Sequence, residues 1–239
     1  LDEITLDFPQ GAPPEPEGRE KTAEIRVAII GKPNVGKSTL LNCIAGEERA
    51  IVTPLPGTTR DAVDLLVDSP LAGPLRLVDT AGIRRKSKTK LMAEKLSVMM
   101  AQRHLRLCDL ALLLMDAVEG ATAQDAAIAR YAHQHGKGLV LVVNKWDLVE
   151  NKRIRAGQLA ESVRREMPFL DYAPMQFLSA ATGWNLEKLL RSIPQVGLAR
   201  SHRVSTSELN RFFETLDLNR APVPAARRVK IFYLTQAGV

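Results

Sequence analysis

The run IRVAIIGKPNVGKSTLL, Ile25 to Leu41, admits few local structures. Its opening six residues are apolar at nearly every position, which suits a strand covered on both faces. Gly31, Gly36, Lys37 and Ser38 then spell G-x-x-x-x-G-K-S, and the spacing of KSTLLNCIAG directly behind predicts a helix. Strand, glycine-bearing turn and helix N-terminus in that order make a phosphate cradle. The glycines let backbone N–H groups turn inward, and the helix dipole adds positive potential. Asn34, Val35, Gly36, Lys37, Ser38 and Thr39 are therefore the expected phosphate-binding residues. Lys37 would neutralise β- and γ-phosphates, and the Ser38 hydroxyl would ligate Mg2+. By itself the motif fits ATPases, kinases and GTPases equally.

Further apolar runs follow at regular intervals: AVDLLVD, LRLVDT, DLALLLMDA, LVLVVNKW and APMQFLS. Segments of helical spacing separate most of them, including AQDAAIARYAHQHG, RAGQLAESVRREM and NLEKLLRSIPQVGLA. The alternation predicts a doubly wound α/β domain with a mostly parallel six-stranded sheet, ending near Arg200. Ser205 and Glu208 have capping-box spacing, so a new helix is expected there. One helix and one strand, RRVKIFYLTQ, follow that boundary and cannot form a core alone.

Asn144, Lys145 and Asp147 in VVNKWD stand at the end of a predicted strand, where such sheets bind ligands. They choose the base. Guanine offers N1–H and a 2-amino group side by side, and the Asp147 carboxylate can accept from both. Against adenine that carboxylate would stay unpaired, at a cost of about 1–3 kcal/mol. Lys145 would lie along the ring face and Asn144 would brace the loop. Ser179, Ala180 and Ala181 in LSAAT follow the last strand, with the Ala180 N–H placed to donate to guanine O6. In VDTAG, Asp79 is expected to hold the Mg2+ shell through water, and Gly82 to reach the γ-phosphate with its N–H. PGTTRD is expected as a loop that closes on the nucleotide, with Thr59 the better second Mg2+ ligand.

In order and wording these elements resemble the translation-factor-related bacterial GTPases. Specifically, the chain resembles the second GTPase domain of the Der (EngA) family, running into the start of its KH-like domain. The resemblance extends from about Ile25 to the end and rests on GKPNVGKSTLLN, PGTTRD, VDTAGIRRKSK, EKLSV, DAVEGATAQD, VNKWDL, FLSAATGWNLEKLL and STSELNRFF with RRVKIFYLTQ. It implies a GTPase domain over 24–200 and a partial α+β KH-like domain over 201–239. It also implies GTP and GDP as substrate and product, Mg2+, a cytoplasmic location and a role in assembly of the large ribosomal subunit. The Pro- and Gly-rich segment 1–23 resembles the linker behind a first GTPase domain that is absent from this chain.

Ras-like GTPases orient the attacking water with a glutamine directly after D-x-x-G, and here that position is Ile83. An aliphatic group cannot polarise water. The resemblance implies K+ coordinated by Asn34 as a substitute charge, which makes Lys37, Thr59, Gly82 and Asn34 the expected catalytic set. A regulatory module that senses nucleotide for a neighbouring GTPase domain, with negligible hydrolysis, is the alternative.

Charge divides unevenly. The net +6 resolves into −5 over residues 1–24 and +11 over the rest, which suits a polyanionic partner such as rRNA. No apolar run approaches the length of a membrane span, and the start has no signal-peptide pattern. Cys43 and Cys108 sit in apolar surroundings and are expected reduced and buried. RRKSKTK reads either as a nucleotide-dependent basic patch or as a solvated loop. His133 and His135, two apart on a helix, do not share a face and are not expected to bind metal. Met92, Leu96, Met99 and Met100 read as core. The C-terminal strip of Arg200, Arg203, Arg211, Arg220, Arg227, Arg228 and Lys230 lacks the GXXG loop with which KH folds grip single-stranded RNA.

Overall fold

Alternation along the strands decides the architecture. In β1 (Ile25–Gly31), Val27 and Ile29 enter one hydrophobic core while Ala28 and Ile30 enter a second. In β5 (Leu110–Asp116), Leu110, Leu112 and Leu114 go to the first and Ala111, Leu113 and Met115 to the second. Successive side chains of a strand point to opposite faces, so this pattern requires a helix layer on each side of the sheet. The computed structural model describes residues 24–47, 49–51, 64–78, 101–215 and 236, and both layers lie within them.

The first face is covered by α1 (Lys37–Glu47), through Leu40, Leu41 and Ile44, and by α4 (Leu186–Ser201), through Leu186, Leu189, Leu190 and Ile193. The second is covered by the helical segment 101–107, by α2 (Ala123–Gln134) and by α3 (Lys152–Glu166). They contribute Ala101, Leu105, Ile128, Ala129, Ala132, Leu159 and Val163. Fully burying a Leu or Ile side chain contributes about 1.5–3 kcal/mol, so these two interiors carry most of the stabilisation.

The remaining strands are β2 (Arg49–Ile51), β3 (Leu65–Ser69), β4 (Gly73–Leu77), β6 (Gly138–Asn144) and β7 (Met175–Phe177). The sheet runs β2-β3-β4-β1-β5-β6-β7. All six expected strands are present, and a seventh, the short β2, extends one edge. From β4 across to β7 every pairing is parallel, whereas β2, β3 and β4 pair antiparallel. The connection between β3 and β4 is too short for a parallel crossover, so the pair closes as a hairpin. Ser69 Oγ accepts from the N–H groups of Leu71 and Ala72, each at 3.2 Å, and fixes that turn.

The chain order reverses on either side of β1, which has β4 on one flank and β5 on the other. That switch point opens a crevice at the carboxyl ends of β1, β5 and β6. Asp116 ends β5 in register with Asn144 at the end of β6, and Gly31 ends β1 opposite Leu114.

Helix α4 ends at Ser201, and α5 (Thr206–Glu214) begins after four intervening residues. Ser205 and Glu208 form the expected reciprocal cap: Ser205 N–H and Oγ donate to Glu208 Oε2 at 3.2 and 2.8 Å, and Glu208 N–H donates to Ser205 Oγ at 3.3 Å. Arg200, expected in the basic strip, is tied to the sheet domain, donating to Gly136 O at 2.9 Å and pairing with Asp109 at 3.5 Å. The leader 1–23, PGTTRD, the segment 79–100 and RRVKIFYLT lie outside the described residues. No described helix is long and apolar enough to cross a membrane.

Candidate functional site

The loop after β1 is shaped by two glycines that nothing else can replace. Gly31 has φ +144°, and a Cβ there would lie 2.4 Å from Leu114 O. Gly36 has φ +101°, and its Cβ would lie 2.2 Å from Asn144 Nδ2. Asn34 adopts φ +63°, a left-handed turn position that asparagine tolerates, and is exposed, whereas Val35 is buried and anchors the loop.

Lys37 opens α1 and folds back over the loop. Its Nζ donates to Gly31 O at 2.8 Å and also to Lys32 O. Burial lowers the Lys37 ammonium to about 8, against the field of Asp125, which raises it. Ser38 and Thr39 stand exposed in the first turn of α1. That turn contains no acidic residue, so the positive end of the helix is not neutralised locally. A cation held by carbonyl dipoles at a helix N-terminus suits a polyphosphate, and the exposed Ser38 hydroxyl is the hard oxygen donor that Mg2+ prefers.

The second loop follows β6. Asn144 is buried and joins the two loops: its Nδ2 donates to Val35 O at 2.8 Å, and its Oδ1 accepts from Ala180 N at 2.9 Å. The bracing role expected of Asn144 is thus visible in the geometry. The Ala180 N–H, expected to donate to guanine O6, donates here to Asn144. Lys145 takes a left-handed conformation with φ +63° and starts a 3-10 turn, Trp146–Leu148. Trp146 is buried against Phe177 at 4.5 Å between ring centroids, which turns Asp147 out to solvent.

Asp147, Lys152, Ser179, Thr182 and Trp184 line a cleft of about 180 Å³. Ser179 is buried; its N–H donates to Trp184 O at 3.1 Å, and its Oγ accepts from Thr182 N at 3.3 Å, so the LSAAT turn is self-supported. The Lys152 ammonium lies 5.8 Å from the Trp184 ring centroid at the rim. Ala181 is exposed on the same turn. Thr59, Asp79 and Gly82 lie outside the described residues.

Sequence reasoning missed a group of charged residues behind the two loops. The Lys145 ammonium does not extend freely; it pairs with Asp116 Oδ2 at 2.6 Å. Burial opposes ionisation of Asp116, but the hydrogen bond from Lys145 and the N–H of Val118 outweigh it and hold the carboxyl below its usual range. Lys32 pairs with Glu119 at 2.8 Å and lies 3.7 Å from the fully buried Asp125. Burial pushes the Asp125 carboxyl up, opposed by Thr122 and Lys32. Arg155 donates to the carbonyls of Ala117 and Val118 and secures the intervening segment. The available signals were a lone aspartate closing the apolar run LLLMDA and the T-x-x-D spacing of TAQD, which marks a helix cap.

His133 and His135 point to separate partners, Tyr172 OH at 3.0 Å and Tyr131 O at 2.7 Å. Among the described residues no group of His, Cys, Asp or Glu is arranged to hold a metal ion.

Residues 26–145 match the 50S ribosome-binding GTPase family, and residues 98–197 match the elongation factor Tu GTP-binding domain. GTPase Der of Symbiobacterium thermophilum is 44% identical over all of this chain and 50% of its own length. GTPase Der of a Geobacter species is 44% identical over 94% of this chain and 52% of its own length. The chain thus spans about half the length of the curated relatives it matches. Among solved structures, Era in complex with MgGDPNP and a segment of 16S ribosomal RNA superposes with TM-score 0.55 and 32% identity, covering 72% of this chain and 56% of that one.

Proposed function

Because the chain belongs to the family of 50S ribosome-binding GTPases, we propose that it binds GTP and GDP with Mg2+ in the crevice at the carboxyl ends of β1, β5 and β6, and hydrolyses GTP. The observation that carries this reading is the Asn144 side chain, which holds the glycine loop and the LSAAT turn in one unit through Val35 and Ala180. That unit holds the phosphate cradle and the proposed base-reading loops together at one crevice, as binding of a single guanine nucleotide needs.

In this reading Asn34, Val35, Gly36, Lys37, Ser38 and Thr39 receive the phosphates. Asp147 accepts from guanine N1–H and the 2-amino group, while Lys145, fixed by Asp116, offers its stem to the ring face. Ser179, Ala180 and Ala181 close the base side. Bound Mg2+ would neutralise the charge developing on the phosphates, with Ser38 a ligand and Thr59 and Asp79 completing its surroundings. Gly82 would contact the γ-phosphate. Asn34, exposed and in a left-handed turn, is the proposed K+ contact that compensates for Ile83.

The proposed domain division is a linker at 1–23, a GTPase domain at 24–200 and the start of a KH-like domain at 201–239. The break between α4 and α5 supports the second boundary. The proposed role is a cytoplasmic switch in assembly of the large ribosomal subunit, engaging rRNA in its GTP state.

GTP turnover measured with Mg2+ in KCl and in NaCl tests the enzyme reading. Turnover in KCl and a marked loss in NaCl are expected. Tight GTP and GDP binding with no turnover above background in either salt would sink it and favour the nucleotide-sensing module. Co-sedimentation with large ribosomal subunits should depend on a GTP analogue and fall with GDP.

A further inference from the structure

Asp125 stands in the first turn of α2, not at the crevice, yet its side chain is wholly inaccessible. Oδ2 accepts from Thr122 N–H at 3.1 Å and from Thr122 Oγ1 at 2.7 Å, completing a capping box. A surface cap would do as much. Here the carboxylate is sunk below the surface, and Oδ1 has no hydrogen-bond partner among the described residues. Burying an ionisable group with one oxygen unsatisfied is unfavourable unless its charge is used.

The charge has a use in Lys32. This residue directly follows Gly31, its side chain is only 11% exposed, and its ammonium lies between Glu119 at 2.8 Å and Asp125 at 3.7 Å. Lys32 also supplies a carbonyl that accepts from Lys37 Nζ. One connected path therefore runs from Asp125 to the Lys32 ammonium, along the Lys32 backbone, to the Lys37 ammonium. The segment that presents Glu119 is itself fixed by Arg155 through the carbonyls of Ala117 and Val118.

We propose that Asp125 is a positioning residue for the phosphate loop: through Lys32 it sets the carbonyl on which Lys37 rests, and so sets where Lys37 meets the nucleotide. This rests on the GTP-binding reading above. Asp125 makes no hydrogen bond to Lys37, although its field raises the Lys37 ammonium; its hold on the position of Lys37 passes through Lys32.

The test compares Asp125→Asn, Lys32→Met, the double variant and Thr122→Val in fluorescent-GDP titrations, with the 31P shift of the bound β-phosphate and thermal melting recorded alongside. Asp125→Asn keeps the shape and a capping oxygen but loses the charge; Thr122→Val weakens the cap and keeps the charge. Asp125→Asn and Lys32→Met are each expected to weaken GDP between about twofold and thirtyfold and to move the β-phosphate resonance. The double variant should be no weaker than Lys32→Met alone. Thr122→Val should lower the melting temperature and leave the resonance in place. If Asp125→Asn melts lower with GDP affinity and resonance unchanged, or if the two losses simply multiply, Asp125 is only a cap and the proposal falls. Should Asp125→Asn not fold, Lys32→Met decides, since an unmoved β-phosphate resonance there overturns the path. Wild-type protein that does not bind GDP overturns the GTP-binding reading along with it.

Discussion

A β-carbon on Gly36 would stand 2.2 Å from Nδ2 of Asn144. The glycine is thus required twice, by its φ of +101° and by the amide that crosses behind it. Gly36→Ala must either displace Asn144 from Val35 O and Ala180 N–H or distort the loop. Strain at such a position costs about 1–3 kcal/mol, and each polar group left unpaired adds a comparable amount. The expected result is a folded protein with a lower urea midpoint and GDP binding weakened beyond detection in a fluorescent-GDP titration. A variant that keeps wild-type affinity would show that the Gly36 and Asn144 contact does not shape the site.

Much of this was readable from residue order. The alternation of apolar runs specified the sheet, because strands buried on both faces must be apolar throughout, as β5 and β6 are. Gly31, Lys37, Asn144 and Asp147 were legible because each ends a strand or stands in the turn or helix start just behind one, and strand ends follow from the runs. The charge pairs of Asp116, Lys32 and Asp125 were not legible, since TAQD marks only a helix cap, and the lysine that each carboxylate meets is set by tertiary contacts 29 or more residues away. The half-buried state of Cys43 was missed for a similar reason: it lies on α1 at the rim of the core, and apolar sequence neighbours do not fix which way a helical side chain faces. β2 escaped because an edge strand of three residues is too short to show alternation.

Asp147 is exposed and, among the described residues, is the one acid that lines the cleft. Asp147→Asn replaces an acceptor pair with one acceptor and one donor. Guanine then loses one of its two bonds, while xanthine, which carries a carbonyl in place of the 2-amino group, gains a donor. Preference between GTP and XTP is expected to shift toward XTP by about a hundredfold or more, read as the ratio of kcat/KM or of competition constants. Equal losses for both nucleotides would mean that Asp147 does not read the base.

The chain has two tryptophans in opposite environments. Trp146 is 4% exposed against Phe177, and Trp184 is 50% exposed on the cleft wall beside Lys152. A ligand entering the cleft changes the solvent around Trp184 and leaves Trp146 enclosed. GDP should therefore alter intrinsic fluorescence, and Trp184→Phe should abolish that change while GDP affinity stays within about threefold, as for a residue at a solvated rim. A change that survives in Trp184→Phe would assign the signal to Trp146 and place the nucleotide nearer the 3-10 turn.

Cys108 closes the helical segment 101–107 with no exposed surface, and burial pushes its thiol up to about 11, Lys137 and neighbouring N–H groups opposing. In the unfolded chain the thiol ionises near its ordinary value, so above about pH 8.5 the unfolded state releases a proton that the folded state retains. The unfolded state then binds fewer protons, and stability falls as pH rises from about 8.5 toward 11, by roughly 3 kcal/mol in all. Below that window the group contributes no pH dependence. Cys108→Ala leaves a small cavity and lowers stability at neutral pH by about 1 kcal/mol, but it removes the thiol's part of the alkaline slope. Urea midpoints for both proteins between pH 7 and 10.5 should converge and cross near about pH 9, with Cys108→Ala the more stable above it. Parallel curves would mean that the Cys108 thiolate is tolerated where it stands, and that the packing of Leu105, Ala111 and their neighbours around it is looser than a sulfur with no exposed surface implies.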